Sequence, residues 1–127
     1  MDYWTLEHEA RSLGIHVRER QLQPNVCGRY YEAARLILID EELPDYGKTC
    51  TLAHELVHAR HHDPGCGAGY RKAESRARRE TALMLVNPVE YALAERLYDG
   101  DSYLIACELG LTVQVVNDYK KLLHDSL

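Results

Sequence analysis

The stretch Thr51-Leu52-Ala53-His54-Glu55-Leu56-Val57-His58-Ala59 decides how this chain is read. It lies within Lys48 to about His62, where Leu52, Ala53, Leu56, Val57 and Ala59 gather on one side at helical spacing. Histidines four residues apart stand one above the other on a helix face, so both rings can bind one tetrahedral metal. Glu55 sits about 100° further round, within reach of a metal-bound water without being a ligand. Three fixed residue types recur by chance in about one window of eight thousand. The pattern in its helical setting therefore favours a zinc site over histidines that are merely solvated or packed.

A catalytic zinc takes three protein ligands and leaves a fourth position for water. His61 and His62 follow closely, but His62 lies about 12 Å beyond His54 along a helix, too far for one metal. His61 meets the same objection less severely, and both read as rim or solvent residues. The next helical segment, Tyr70 to Val86, places Tyr70, Ala73, Ala77, Thr81 and Met84 on one stripe, with Arg71, Lys72, Arg76, Arg78 and Arg79 over the rest. Glu74 and Glu80 flank that stripe on opposite margins. If the two helices run antiparallel across the Asp63 to Gly69 turn, Glu74 falls about level with His58 and Glu80 about level with Leu52. Glu74 is then the favoured third ligand and Glu80 the alternative. Cys50, one turn before His54, offers a rival structural site, disfavoured because such sites are usually rich in closely spaced cysteines.

Around this core the periodicity predicts a helix from Tyr3 to Leu13 stopped by Gly14, then alternation at Ile15 and Val17. Val26 to Tyr31 and Arg35 to Asp40 read as strands joined at Glu32-Ala33-Ala34. Helices fit Pro88 to Leu97, Ser102 to Leu109 and Thr112 to Leu123. The expected fold is α+β: a small three-stranded antiparallel sheet packed on a helical bundle, with short C-terminal helices. With 127 residues the chain is expected to form one domain, 1–127, comprising helix and sheet (1–40), metal-binding helices (48–97) and a helical cap (102–124).

Composition narrows the function classes. Hydrophobic residues at 46% and charged residues at 28% fit a folded chain and exclude a disordered one. A formal net charge of −5 provides no global field for nucleic acid, so direct nucleic-acid binding is not expected. No apolar run is long enough for a membrane span and no leader pattern opens the chain, so a cytosolic protein without membrane contact is expected. Cys27, Cys50, Cys66 and Cys107 contain no Cys-x-x-Cys pair and read as reduced thiols. The basic residues Arg71, Lys72, Arg76, Arg78 and Arg79 read as a solvated helix back in preference to a patch for an acidic partner or DNA. Residues 104–117 are similar to a helix-turn-helix with Gly110 at the turn. The second helix offers Gln114 and Asn117 but no arginine, and Lys120-Lys121 alone gives weak phosphate binding, so a packing cap is preferred.

The helix stretch Thr51 to Ala59, followed by Glu74-Ser75-Arg76-Ala77 leading into Leu85-Val86-Asn87-Pro88, resembles the ImmA/IrrE-type metallopeptidases, zincin-like proteins of bacteria, phages and integrated elements. Gly28-Arg29-Tyr30-Tyr31 with Leu36 to Asp40 resembles that family's hairpin before the catalytic helix, and Pro88 to Leu97 is similar to actinobacterial and actinophage members. Val57 stands where glycine is common, and Glu80-Thr81 where Phe-Ala is common. The resemblance implies a zinc endopeptidase of the bacterial cytosol, with His54, His58 and Glu74 as ligands and Glu55 as base. It also implies a protein substrate, a helix-turn-helix repressor of a phage or mobile element. The alternative is a non-catalytic anti-repressor on the same fold, which has no need of Glu55. Tyr30, Tyr31, Tyr70 and Tyr91 are all candidate oxyanion donors. So short a chain predicts a shallow site and a protease that depends on a specific folded partner.

Overall fold

Local chemistry sets most element boundaries. In the computed structural model, which describes residues 1–65 and 67–126, α1 (Tyr3–Ser12) opens on Asp2, whose carboxylate accepts from the Thr5 N–H. Cys66, grouped above with the reduced thiols, lies outside the described residues. Strands β1 (His16–Arg20), β2 (Gly28–Tyr31) and β3 (Leu36–Asp40) precede α2 (Asp45–Arg60) and α3 (Tyr70–Leu85). Then come α4 (Pro88–Leu97), α5 (Ser102–Leu109) and α6 (Val113–Asp125), N-capped by Asn87, Asp101 and Thr112. Helix α2 begins three residues before Lys48 because extended Pro44 ends the connection and Asp45 suits a first turn. Among the described residues no helix is long and apolar enough to cross a membrane.

The class is α+β with a small three-stranded sheet, as expected, but the sheet is mixed and not purely antiparallel. Its order is β1-β3-β2, with β2 antiparallel to β3 and β1 parallel to it. The reason lies in β3. Leu36, Ile37, Leu38 and Ile39 have apolar side chains on both faces, and Ile37 and Ile39 are fully buried, so β3 takes the centre. Strand β1 alternates exposed and half-buried residues and suits an edge. Successive strands reverse direction, and inserting the third between the first two leaves β1 and β3 parallel.

Helix α2 sits between two apolar clusters. Leu52, Ala53, Leu56 and Ala59 pack with Leu6, Ala10, Ile15, Tyr30, Ile37 and Ile39. Cys50 joins residues of α3 to α6, among them Ala82, Tyr91, Ile105, Val116 and Tyr119. Burying a leucine such as Leu52 or Leu56 contributes roughly 1.5–3 kcal/mol, so the helix that bears the histidines is anchored from two sides. Strand β2 approaches it closely at Gly28, where a Cβ would fall 2.5 Å from the Thr51 methyl and 3.0 Å from the Leu38 carbonyl oxygen.

Candidate functional site

The two histidines of α2 share one face, with ring centroids 5.0 Å apart and planes at 76°. Helix α3 delivers Glu74 to both. Its Oε1 is 2.6 Å from His54 Nε2 and 3.0 Å from His58 Nε2. The three ligand atoms lie within 4.8 Å of one another, the arrangement a single metal ion requires. Tetrahedral zinc with bonds of about 2.0–2.1 Å spaces its donors about 3.3 Å apart, so Glu74 Oε1, at 2.6 Å from His54 and 3.0 Å from His58, need only draw back slightly from the two rings to share an ion with them.

Glu80, the alternative ligand, lies elsewhere. Its carboxylate meets His61 Nε2 at 2.8 Å, at the C-cap of α2 rather than level with Leu52. Axial rise alone misplaces it, because helix axes cross and long side chains reach past their own level. His62 pairs with Glu32 at 2.8 Å, so neither His61 nor His62 joins the donor set. Cys50 is buried beside Thr112 and also stands outside that set.

Sequence reasoning missed Asp63. The end of α2 closes with His62 N–H bonded to the Ala59 carbonyl and Asp63 N–H to the His58 carbonyl, around a left-handed His62 at φ 54°. This turn carries the Asp63 carboxylate back to His58 Nδ1, at 2.9 Å. Arg76 Nη2 donates to the other Asp63 oxygen at 2.5 Å, so one residue of the supposed solvated helix back is structural. A ligating histidine almost always donates its second ring N–H to such a partner. An aspartate five residues after His58 was therefore the available signal.

The electrostatics follow from these contacts. Hydrogen bonds from His54 and His58 hold the Glu74 carboxyl well below the usual carboxylate range. Burial works against a charged His58, but its bonds to Glu74 and Asp63 prevail and push it up to about 9. Ligation at Nε2 therefore means losing a proton. Glu55 is pushed up by burial, against the opposing charges of His54 and His58. It is buried, lines the cleft and makes no side-chain hydrogen bond among the described residues.

The cleft has a volume of about 590 Å³. Strand β2 with Asn25, Val26 and Cys27 forms one wall, and α3 and the start of α6 form others. The C-terminal helices are therefore more than a cap, since Thr112, Gln114, Val115 and Asp118 border the site. Packing of Val115, Val116 and Tyr119 occupies the inner face of α6.

Of the four tyrosines, Tyr70 and Tyr30 line the cleft. The Tyr30 hydroxyl is engaged with Glu32 and Arg35, whereas Tyr70 is 41% exposed. Tyr31 points to the face of β2 opposite buried Tyr30. Tyr91 has no place at the site. It is buried in the C-terminal core against Tyr119, with ring centroids 4.8 Å apart, because α4 turns this position toward α6.

Two histidines and a carboxylate converging beside a buried glutamate, in an open cleft, form the donor set and acid–base group that metallopeptidase chemistry calls for. The family model Peptidase_M78, described as the IrrE N-terminal-like domain, matches residues 10–118, and the chain belongs to that family. Its members are metal-dependent peptidases, and the His54, His58 and Glu74 group fits that requirement. Neither the curated proteins nor the solved structures returned a match to the chain.

Proposed function

We propose that this chain, acting as one domain over 1–127 in the bacterial cytosol, is a zinc-dependent endopeptidase that cuts a helix-turn-helix repressor of a phage or mobile element. The observation that carries the reading is the convergence of three donor atoms within 4.8 Å, beside buried Glu55, in a chain of a peptidase family. His54, His58 and Glu74 hold the ion, and Glu55 is the general base. When bound, zinc supplies Lewis acidity that acidifies a water to a pKa of about 7 and polarises the scissile carbonyl.

The chain's own residues do the rest. Asp63 accepts a hydrogen bond from the His58 Nδ1–H, which fixes the tautomer and leaves Nε2 free to ligate. Glu55 takes the proton of the attacking water on its carboxylate and returns it to the leaving amine, and burial strengthens it as a base. The Tyr70 hydroxyl, in the cleft and exposed, is the available donor to the developing oxyanion.

The test incubates the purified protein with the repressor encoded beside its own gene, with and without a chelator. Fragments that vanish with the chelator support the reading. A stable complex with no fragments under either condition overturns it in favour of an anti-repressor.

A further inference from the structure

The basic residues of α3 are not equivalent. Arg76 is paired with Asp63 at 2.5 Å and with Glu80 at 3.7 Å. Arg71, Arg78 and Arg79 are exposed, and with Lys121 of α6 they border a groove of about 320 Å³ between the two helices. Among the described residues none of these four cations lies within 4.0 Å of a carboxylate, although Arg79 donates to Ser75 Oγ. The acids on the same walls are Glu74, Asp118 and Asp125. Two histidines hold Glu74, Asp118 accepts from Gln114 Nε2 at 2.9 Å, and Asp125 lies 3.5 Å from His124. Tyr70, Glu74, Arg78 and Asp118 line both this groove and the metal cleft, so the two are continuous. In a chain of net charge −5, unpaired cations are thus gathered along a path that leads away from the metal centre.

We propose that this groove binds an acidic flank of the protein substrate, with Asp or Glu side chains placed several residues to one side of the scissile bond. The proposal rests on the peptidase reading above. Arg71 and Arg78 are two helical turns apart, about 10 Å, and a peptide in the polyproline II conformation, with three residues per turn and a rise of about 3.1 Å, covers that distance in about three residues and returns to the same face. The matching motif is an acidic pair with two residues between. Asp118 and Asp125 set the class of ligand. Carboxylates among the cations repel a nucleic-acid backbone, which is charged at every step, while a peptide with spaced acids avoids them.

Binding is read by fluorescence anisotropy on the zinc-loaded Glu55→Gln protein. The probes are a labelled Glu-Ala-Ala-Glu repeat peptide, its Lys-Ala-Ala-Lys counterpart, and single-stranded and duplex oligonucleotides. The acidic peptide binds in preference, and added salt weakens it. Adding Arg71→Glu, Arg78→Glu and Lys121→Glu weakens it about tenfold, from two- to threefold for each exposed contact. The triple glutamine version weakens it less and serves as a check on folding. Equal affinity for the two peptides, or no loss in the triple glutamate variant, overturns the proposal. DNA bound more tightly than the acidic peptide, and released by the same variant, overturns it in favour of nucleic acid.

A second arm digests a proteome-derived peptide library with the wild-type protein and sequences the fragments. Asp and Glu enriched on one side of the cleavage point, an enrichment lost in the triple glutamate variant, support the proposal. Fragments without acidic bias end it and leave the peptidase reading standing. Acidic peptide bound at the groove with no fragments from any substrate ends the peptidase reading and leaves the groove as a binding site.

Discussion

Replacing Asp63 by alanine isolates the contribution of the residue behind the proposed metal ligands. Asp63 is 8% exposed, accepts from His58 Nδ1 at 2.9 Å and binds Arg76 at 2.5 Å. Its removal leaves the His58 Nδ1–H without an acceptor and frees the ring to turn, so Nε2 is no longer held toward Glu74. Loss of such a partner lowers metal affinity about 10- to 100-fold, or about 1.4–2.7 kcal/mol. The orphaned donors add a folding cost of about 1–3 kcal/mol. Zinc affinity is measured by competition with a chromogenic chelator, and stability by a thermal melt of the metal-free protein. Asp63→Asn keeps an acceptor for Nδ1–H but loses the charge, so its zinc affinity falls between the two. If Asp63→Ala lowers the melting temperature yet binds zinc within about twofold of wild type, then Asp63 serves only the fold and the orientation argument is wrong.

Three further outcomes are expected. Gly28→Ala forces β2 away from α2, since the new Cβ would lie 2.5 Å from the Thr51 methyl and 3.0 Å from the Leu38 carbonyl; urea denaturation should show a loss of about 1–3 kcal/mol. Adding a chelator to the zinc-loaded protein should lower its stability by about 4 kcal/mol where free zinc had stood at a thousand times Kd; an unchanged melting temperature would mean that no ion binds the folded state. Glu19 is held below its ordinary value of 4.5 chiefly by its hydrogen bond from Lys48. Its contribution is therefore complete above pH 4.5 and lost as pH falls through the lower folded-state value. Glu19→Gln should flatten the stability profile in that acid range and leave its slope near neutrality unchanged.

The helices were legible because their signals are local. The helices expected from Pro88, Ser102 and Thr112 begin within one residue of those positions, capped by Asn87, Asp101 and Thr112. His54 and His58 could be read as a pair because four residues on a helix fix their separation. Strand order was not legible, since it depends on which strand is buried on both faces. Only the packing of Leu36, Ile37, Leu38 and Ile39 between two neighbours reveals that. The positions of Glu80 and Tyr91 depend on how helices cross and on which side of α4 meets α6, neither of which periodicity encodes. Asp63 was hidden because its role arises from the left-handed turn at His62, a position where glycine is the usual residue. The basic run looked uniform until Arg76 paired with Asp63 while Arg71, Arg78 and Arg79 faced the groove.

The most direct test of the peptidase reading compares Glu55→Gln with wild type in two measurements on the same preparation: bound zinc by elemental analysis, and the rate of fragment formation from the neighbouring repressor. The substitution keeps the size of the side chain and removes its basicity. One zinc per chain retained, with cleavage reduced about 10²- to 10⁴-fold, is the predicted result. Cleavage by Glu55→Gln at the wild-type rate would contradict the assignment of Glu55 as base and the mechanism built on it.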